Sequence, residues 1–228
     1  MKLPISDRLL SCAGFVHKGD RVADIGCDHG YLSIHLLSNG IASSCIASDV
    51  NEGPLQSAMR NAEKYGVAHQ MTFCLSDGAK DIPRDFDAMV CAGMGADTII
   101  HILEDAPWLK DSRYTMILQC QSKTHYLRKY LSDNGWRITE ESVVRDGRFL
   151  YTVMEVIFQP GYALSPGEWY FPPALLENPS REVPAYYRWV VEGLRITTAH
   201  QDIPEKKQAL EELTALADQF PRLKEEVK

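Results

Sequence analysis

Residues 22–32, Val-Ala-Asp-Ile-Gly-Cys-Asp-His-Gly-Tyr-Leu, hold the most legible chemistry in this chain. A hydrophobic run, Val22 to Ile25, leads into a turn carrying Asp24, Gly26, Asp28 and Gly30, and an amphipathic helix is expected from Tyr31. Glycines in such a turn let the backbone take positive φ and approach a ligand closely. The helix start directs unpaired amides and a partial positive charge into the same crevice. This is the layout of a nucleotide-type cofactor turn. Its charge narrows the ligand. A dinucleotide site uses Gly-x-Gly-x-x-Gly, so that a pyrophosphate can rest against bare amides. Here the order is Asp24-x-Gly26-x-Asp28-x-Gly30, and a pyrophosphate would meet two carboxylates. The turn suits a cation.

Two more carboxylates extend the pattern. Asp49 ends the apolar run Cys45-Ile46-Ala47-Ser48-Asp49, about 20 residues past the glycine turn, where a ribose-binding carboxylate is expected. Asp77 follows the strand-like Met71 to Leu75 and is placed to receive an adenine amino group. An Asp at a strand end often only caps a turn or a helix. Three of them in order after three consecutive strand patterns point instead to S-adenosyl-L-methionine, which has no phosphate and carries a sulfonium and an ammonium group. Tyr31, at the turn, is a stacking platform or a packing residue.

The fourth apolar run, Ala88 to Cys91, empties into Ala92-Gly93-Met94-Gly95-Ala96-Asp97. In an open parallel sheet, ligands bind outside the carboxyl ends of the strands, so Gly93 to Asp97 is expected beside a transferable methyl group. Methyl transfer is an in-line displacement, and the enzyme's task is to hold a lone pair behind the methyl at near-attack distance. Gly93 and Gly95 permit close backbone approach. The Asn/Asp-Pro-Pro-aromatic motif of enzymes that methylate an exocyclic adenine amine does not occur here. A glycine-rich loop suits a flat base whose ring nitrogen already offers a lone pair.

The elements that must position these residues follow from periodicity. Strand patterns fall near 21–25, 44–49, 70–75, 87–92, 114–119, 136–142 and 149–158, with helical patterns at 31–39, 52–65, 96–105 and 123–134. Apolar runs alternating with amphipathic helices specify a parallel sheet covered on both faces. The last two strands are separated only by the turn-rich Arg-Asp-Gly-Arg of 145–148, so they form an antiparallel hairpin. The expected fold class is α/β, a Rossmann-like class I methyltransferase sheet of five parallel strands plus an antiparallel hairpin.

From Pro160 to Pro184 eight prolines and glycines break the pattern, and the catalytic domain is expected to span 1–160. The remainder, 161–228, reads as a linker and a helical, coiled-coil-like appendage. One helix begins near Pro184 with a stripe of Tyr187, Val190 or Val191, Leu194 and Thr198. A second begins near Pro204 with Ala209, Leu213, Leu216, Phe220, Leu223 and Val227 at alternating spacings of four and three. Pro221 must interrupt it. The pair is expected to pack on Trp169, Tyr170 and Phe171, and either extends a substrate surface or serves dimerisation.

Composition sets the remaining bounds. The six cysteines are scattered, with no Cys-x-x-Cys, and read as core residues of a reducing cytoplasm; no structural metal is expected. No run is long and apolar enough for a membrane span, and the N-terminus shows no signal-peptide core. The net charge of −7 argues against nucleic acid, but residues 110–148 hold eight basic against five acidic side chains. Phosphate contacts need a basic face, not a basic protein.

Asp-Ile-Gly-Cys-Asp-His-Gly-Tyr-Leu (24–32), Ala-Gly-Met-Gly (92–95), Ile-Leu-Gln (117–119), Asp-Gly-Arg-Phe-x-Tyr (146–151) and the helical tail together resemble the bacterial tRNA (adenine-22-N1)-methyltransferase family. The resemblance covers almost the full length. It implies a class I catalytic domain, S-adenosyl-L-methionine and a coiled-coil-like C-terminal domain that helps grip tRNA; separately, a cytoplasmic monomer or weak dimer is expected. Carried over residue by residue, it assigns cofactor roles to Asp24, Gly26, Asp28, His29, Gly30, Asp49, Asp77 and Gly78, and sets Gly93, Met94 and Gly95 at the transfer point. Two positions depart from the family pattern: Gly95-Ala96 stands for Gly-Gly, and Gln119-Cys120-Gln121 for Gln-Pro-Asn. N1 methylation leaves the base cationic, and Asp97 is the candidate carboxylate to stabilise that charge, or else a helix cap. Lys123, Arg128, Lys129, Arg145 and Arg148 are the candidate phosphate contacts. The competing readings are a methyltransferase for a small molecule or protein, a nicotinamide-dependent oxidoreductase, which Asp28 and the hairpin disfavour, and a non-catalytic RNA-binding module.

Overall fold

A computed structural model describes residues 3–177 and 179–224. Seven strands form one sheet in the order β3-β2-β1-β4-β5-β7-β6. These are β1 (Arg21–Ile25), β2 (Ser44–Asp49), β3 (Met71–Leu75), β4 (Ala88–Gly95), β5 (Thr115–Ser122), β6 (Trp136–Asp146) and β7 (Phe149–Phe158). The first five pair in parallel, and β7 runs antiparallel between β5 and β6. The strand order reverses between β1 and β4, which opens a crevice at their carboxyl ends.

Helices α2 (Tyr31–Ser38), α3 (Glu52–Lys64), α4 (Ala96–Asp105) and α5 (Thr124–Asp133) provide the crossovers. Their apolar stripes cover both faces of the sheet, as a parallel sheet requires. Ile99, Leu103, Leu127 and Leu131 pack on Met89, Met116 and Trp136 on one face. Leu32, Leu36 and Ala62 pack on Val22, Val90 and Ile117 on the other.

A short helix ahead of the sheet, α1 (Asp7–Ala13), is absent from the sequence-based expectation. Ser6 caps it by accepting from the Leu9 amide, and Cys12 and Ala13 bury against the second face. Two strands also outrun their expected ends. β6 continues to Asp146, so the hairpin turn is the pair Gly147-Arg148 and not four residues. Gly147 takes φ +59°, as tight two-residue turns demand. β4 continues through Gly95, but its register against β5 slips at Ala92/Met94. The expected loop is therefore a bulged strand end, a device that re-aims side chains beside a site.

The tail comprises α6 (Pro166–Tyr170), α7 (Ala174–Glu177), α8 (Val183–His200) and α9 (Pro204–Gln219). Tyr186, Tyr187, Val191 and Leu194 of α8 meet Ala209, Leu213 and Ala217 of α9 around Phe171, and Val143 of β6 joins the same cluster. Leu216 and Phe220, expected in the seam, are only partly buried; α9 ends at Gln219, and Pro221 starts a 3-10 turn that buries Leu223. Val227 lies outside the described residues. Trp169 packs on the sheet-side core, whereas Tyr170 and Phe171 join the tail cluster.

One expected phosphate contact is overturned by burial. Arg128 is 0% exposed. Its Nη2 and Nε donate to the Glu141 carboxylate at 2.6 and 3.2 Å, and its Nη1 donates to the Trp169 and Tyr170 carbonyls at 3.0 and 2.9 Å. Nη2 also donates to Tyr186 Oη at 3.1 Å. The guanidinium thus joins α5, β6, α6 and α8, and none of it faces solvent. Breaking a buried ion pair leaves one charge uncompensated. Arg128→Met should destabilise the fold by about 3–5 kcal/mol in urea denaturation, and a loss below about 1 kcal/mol would show that the pair does not hold the tail.

Candidate functional site

The carboxyl ends of β1, β4 and β5 meet the N-terminal parts of α1 and α2 around a cleft of about 210 Å³, whose lining includes Arg8, Asp24, Gly26, Asp28, Gly93 and Gln121. Asp24, the next-to-last residue of β1, is 4% exposed and accepts from Ser33 Oγ at 2.7 Å. Burial, with a smaller push from Asp49, raises its pKa to about 6, against the bond from Ser33. Gly26 follows at φ +69°, and a Cβ there would lie 2.4 Å from Met94 Cε. The turn therefore needs glycine for its backbone, while the Met94 methyl over it ends a flexible side chain that can shift. Met94 lies over the turn, packs on the sheet-side core and is not part of the cleft lining.

Asp28 takes φ +50°, one of two described non-glycine residues in the left-handed region. Its amide donates to Asp49 Oδ2 at 3.3 Å, and the Asn51 amide donates to Asp49 Oδ1 at 2.9 Å. The Asp49 carboxylate, largely buried at the end of β2, so ties the first turn to the second. Asp28's own carboxylate is exposed, 3.7 Å from His29 Nε2, and the His29 and Tyr31 rings lie 5.6 Å apart, outside the cleft lining. Gly30 caps α2 at φ +71° and packs closely on Ala58.

Asp77 and Gly78 sit apart from this lining. Asp77 is exposed and pairs with Lys80 at 2.8 Å, which lowers its pKa. Lys80 also bridges Asp105 at 2.8 Å, and His101 Nε2 lies 3.0 Å from the same carboxylate. Asp77, His101 and Asp105 gather three ligand-type atoms within 4.8 Å, but the Lys80 ammonium already bridges both carboxylates.

Beyond Gly26 the cleft meets the bulge of β4. Gly93 stands at φ +84°, and its amide donates to Gln119 Oε1 at 3.0 Å. Arg8 Nη1 donates to the same oxygen at 2.9 Å, and buried Gln119 turns its Nε2 to the Cys120 carbonyl at 3.1 Å. Arg8 Nε also lies 3.6 Å from Asp146 Oδ2. Arg8 escapes sequence reasoning because 111 residues separate it from Gln119; the only local signal is the Ser6-Asp7 cap of its helix.

Gly95 ends β4 and caps α4, which sets Asp97 in the first turn of that helix, exposed and outside the cleft lining. Asp97 pairs with Lys123 at 2.7 Å. Lys123, at φ +57°, is the second left-handed residue and stands between β5 and α5. Left-handed non-glycine backbone recurs at functional sites; Asp28 lines this cleft and Lys123 the neighbouring cavity. Of the other expected phosphate contacts, Lys129 pairs with Asp133 and lies over the Trp169 ring, Arg145 pairs with Glu182 at 2.6 Å, and Arg148 is exposed at the hairpin turn.

This donor set fits a cationic nucleoside without phosphate. Asp24 and Asp28 bring carboxylates to the lining beside Gly26, with Asp49 behind the Asp28 amide, while the single cationic side chain in the lining, Arg8, is engaged by Gln119 and Asp146. Among the described residues no helix is long and apolar enough to cross a membrane.

The family model described as a methyltransferase domain matches residues 5–154. The tRNA (adenine(22)-N(1))-methyltransferase of Bacillus subtilis is 32% identical over 154 residues, 67% of this chain and 65% of that protein, so the match spans just under two thirds of the relative's length. The crystal structure of a Streptococcus pneumoniae putative tRNA (m1A22) methyltransferase, in complex with S-adenosyl-L-methionine, superposes at TM-score 0.81 with 31% identity, over 92% of this chain and 99% of that one. The structure of the B. subtilis m1A22 tRNA methyltransferase superposes at 0.76 with 28% identity, covering 98% of both.

The raised pKa of Asp24 gives a stability signature. Its proton is held more tightly folded than unfolded, so the penalty for ionising it is absent below about pH 4, grows from there to about pH 6 and is complete above. Asp24→Asn removes that penalty and still offers an acceptor to Ser33. The variant should gain on the order of 2–3 kcal/mol over the parent above pH 6 and nothing below pH 4, measured by denaturation across pH; equal stability at pH 8 would refute the burial account.

Proposed function

The chain belongs to the methyltransferase-domain family, and on that premise we propose that it transfers a methyl group from S-adenosyl-L-methionine to N1 of adenine 22 in tRNA. The observation that carries this reading is the carboxylate-lined cleft ending at Gly93 and Gln121. The near-full-length likeness to structures of m1A22 enzymes supports it. When bound, the cofactor supplies an electrophilic methyl on sulfur.

The chain's residues bind and orient. Asp24 and Asp28 attract the positive charges, the Gly26 and Gly30 turn allows close approach, and Asp49 receives the ribose hydroxyls. His29 and Tyr31 flank the entrance. Asp77 and Gly78, one turn away, take the adenine end once Asp77 leaves Lys80. Gly93 to Gly95 form the floor on which the acceptor base lies, and Arg8 and Gln119 fix that floor. N1 of adenine carries its own lone pair, so no proton has to be removed first. It lies on the Watson–Crick edge, so a paired adenine must be flipped out before it can react. The methylated base is cationic, and Asp97 is its counter-charge when it exchanges out of the Lys123 pair.

The catalytic part is 1–160, and the tail, 161–228, grips the RNA. Lys123, Lys129 and Arg148, with Arg145 beside them, contact phosphates; Arg128 holds the two parts together. A tRNA substrate sets the protein in the cytoplasm. Incubating the full chain with unmodified bacterial tRNA and the methyl donor should yield one N1-methyladenine per molecule at position 22, mapped by mass spectrometry of nuclease fragments. Methylation at another atom or position, or transfer only to a small molecule or protein, contradicts the proposal.

A further inference from the structure

A larger cavity, about 380 Å³, opens beside the cofactor cleft between the end of β5, the start of β7 and α8. Gln121 lines both spaces. The cavity therefore adjoins the point where an acceptor base would lie. Its walls are aromatic: Tyr151 comes from β7 and Tyr186 from α8, while His125 stacks on Tyr170 with rings 4.6 Å apart at 8°. Burial, reinforced by Arg128 and Lys206, holds the His125 imidazole neutral, with a pKa near 4. Trp189, also on α8, is 65% exposed, its ring 5.8 Å from that of Tyr186. The buried stripe of α8 runs through Tyr187, Val190, Val191 and Leu194, so tail packing does not account for the exposed indole.

The charge of the lining is one-sided. No carboxylate lines the cavity, and because Arg128 is paired with Glu141 and Lys123 with Asp97, Lys206 is the cation of the lining left to meet a ligand's charge, in a chain with 31 Asp and Glu and a net charge of −7. The Lys206 ammonium makes no ion pair among the described residues. Aromatic faces beside cations are how proteins hold single-stranded nucleotides: bases stack and phosphates meet the lysines.

We propose that this cavity binds an unpaired nucleotide of the RNA, the strand neighbour of the target base, stacked against Trp189 and Tyr151 with its phosphate toward Lys206. The inference rests on the RNA methyltransferase reading and deepens it. The target base must reach the methyl at Gly93, so the space beyond Gln121 receives the next residue of the strand. The tail then supplies one wall of the substrate site as well as a grip.

Gly193 offers a clean test. It lies on the exposed face of α8 and lines the cavity, and a Cβ there would meet nothing within 4 Å. Gly193→Leu fills the cavity mouth and raises helix propensity, while Trp189→Ala removes the stacking platform from a solvent-exposed position. Three quantities would be measured on the full chain: steady-state tRNA methylation, tRNA affinity by fluorescence anisotropy and S-adenosyl-L-methionine affinity by calorimetry. Both variants should raise the KM and the Kd for tRNA about ten-fold or more, with methyl-donor affinity and thermal midpoint held. RNA affinity and KM at the parent values in both variants overturn the cavity assignment while leaving the methylation reading intact. A parent chain that neither binds nor methylates RNA overturns both.

Discussion

Asp24 keeps a carboxylate out of water at the carboxyl end of β1, with Ser33 as its hydrogen-bond partner and Asp49 near enough to oppose its ionisation. An ionised acid in such a setting is costly unless a positive charge arrives. The neighbouring groups do not supply one: Arg8 is drawn aside to Gln119 and Asp146, and Lys80 and Lys123 serve Asp77 and Asp97 outside the cleft. The crevice is thus complementary to a cation and opposed to a phosphate. Its glycines, the left-handed Asp28 and the Asp49 bridge hold that electrostatic shape in place before a ligand binds.

A second buried charge does a different task. Arg128 and Glu141 lie within the protein and draw carbonyls from α6 and a hydroxyl from α8 onto one guanidinium. Because each donor has a fixed acceptor, the tail helices have a defined place against β6 and β7. That placement brings α8 alongside the end of β5 and leaves an aromatic cavity adjoining the cofactor cleft. A Rossmann-like sheet supplies the carboxylate-lined cleft, and the tail shapes the space next to it.

The sequence reveals those features whose causes are local. The turn at 24–30 combines a strand, two glycines and two aspartates within seven residues, and Asp49 follows at the end of the next apolar run, so the crevice was legible with its charge. The hairpin, the helix starts at Pro184 and Pro204 and the break at Pro221 are equally local. Arg128 was misread because Arg within an amphipathic helix normally faces solvent; only the fold brings Glu141, 13 residues on, to meet it. The Gly93–Gln119–Arg8 arrangement joins three distant segments and left no periodic trace. Asp77 at a strand end looked like its two predecessors, yet Lys80, three residues later, claims its carboxylate.

The negative lining of the cleft selects a phosphate-free cation. Calorimetric titration of the full chain at pH 7.5, with S-adenosyl-L-methionine and then NADH under the same conditions, tests it most directly. Saturable binding of the sulfonium compound and no detectable heat from the dinucleotide is the predicted result. Binding of NADH at comparable or greater affinity, or indifference to S-adenosyl-L-methionine, would contradict the account.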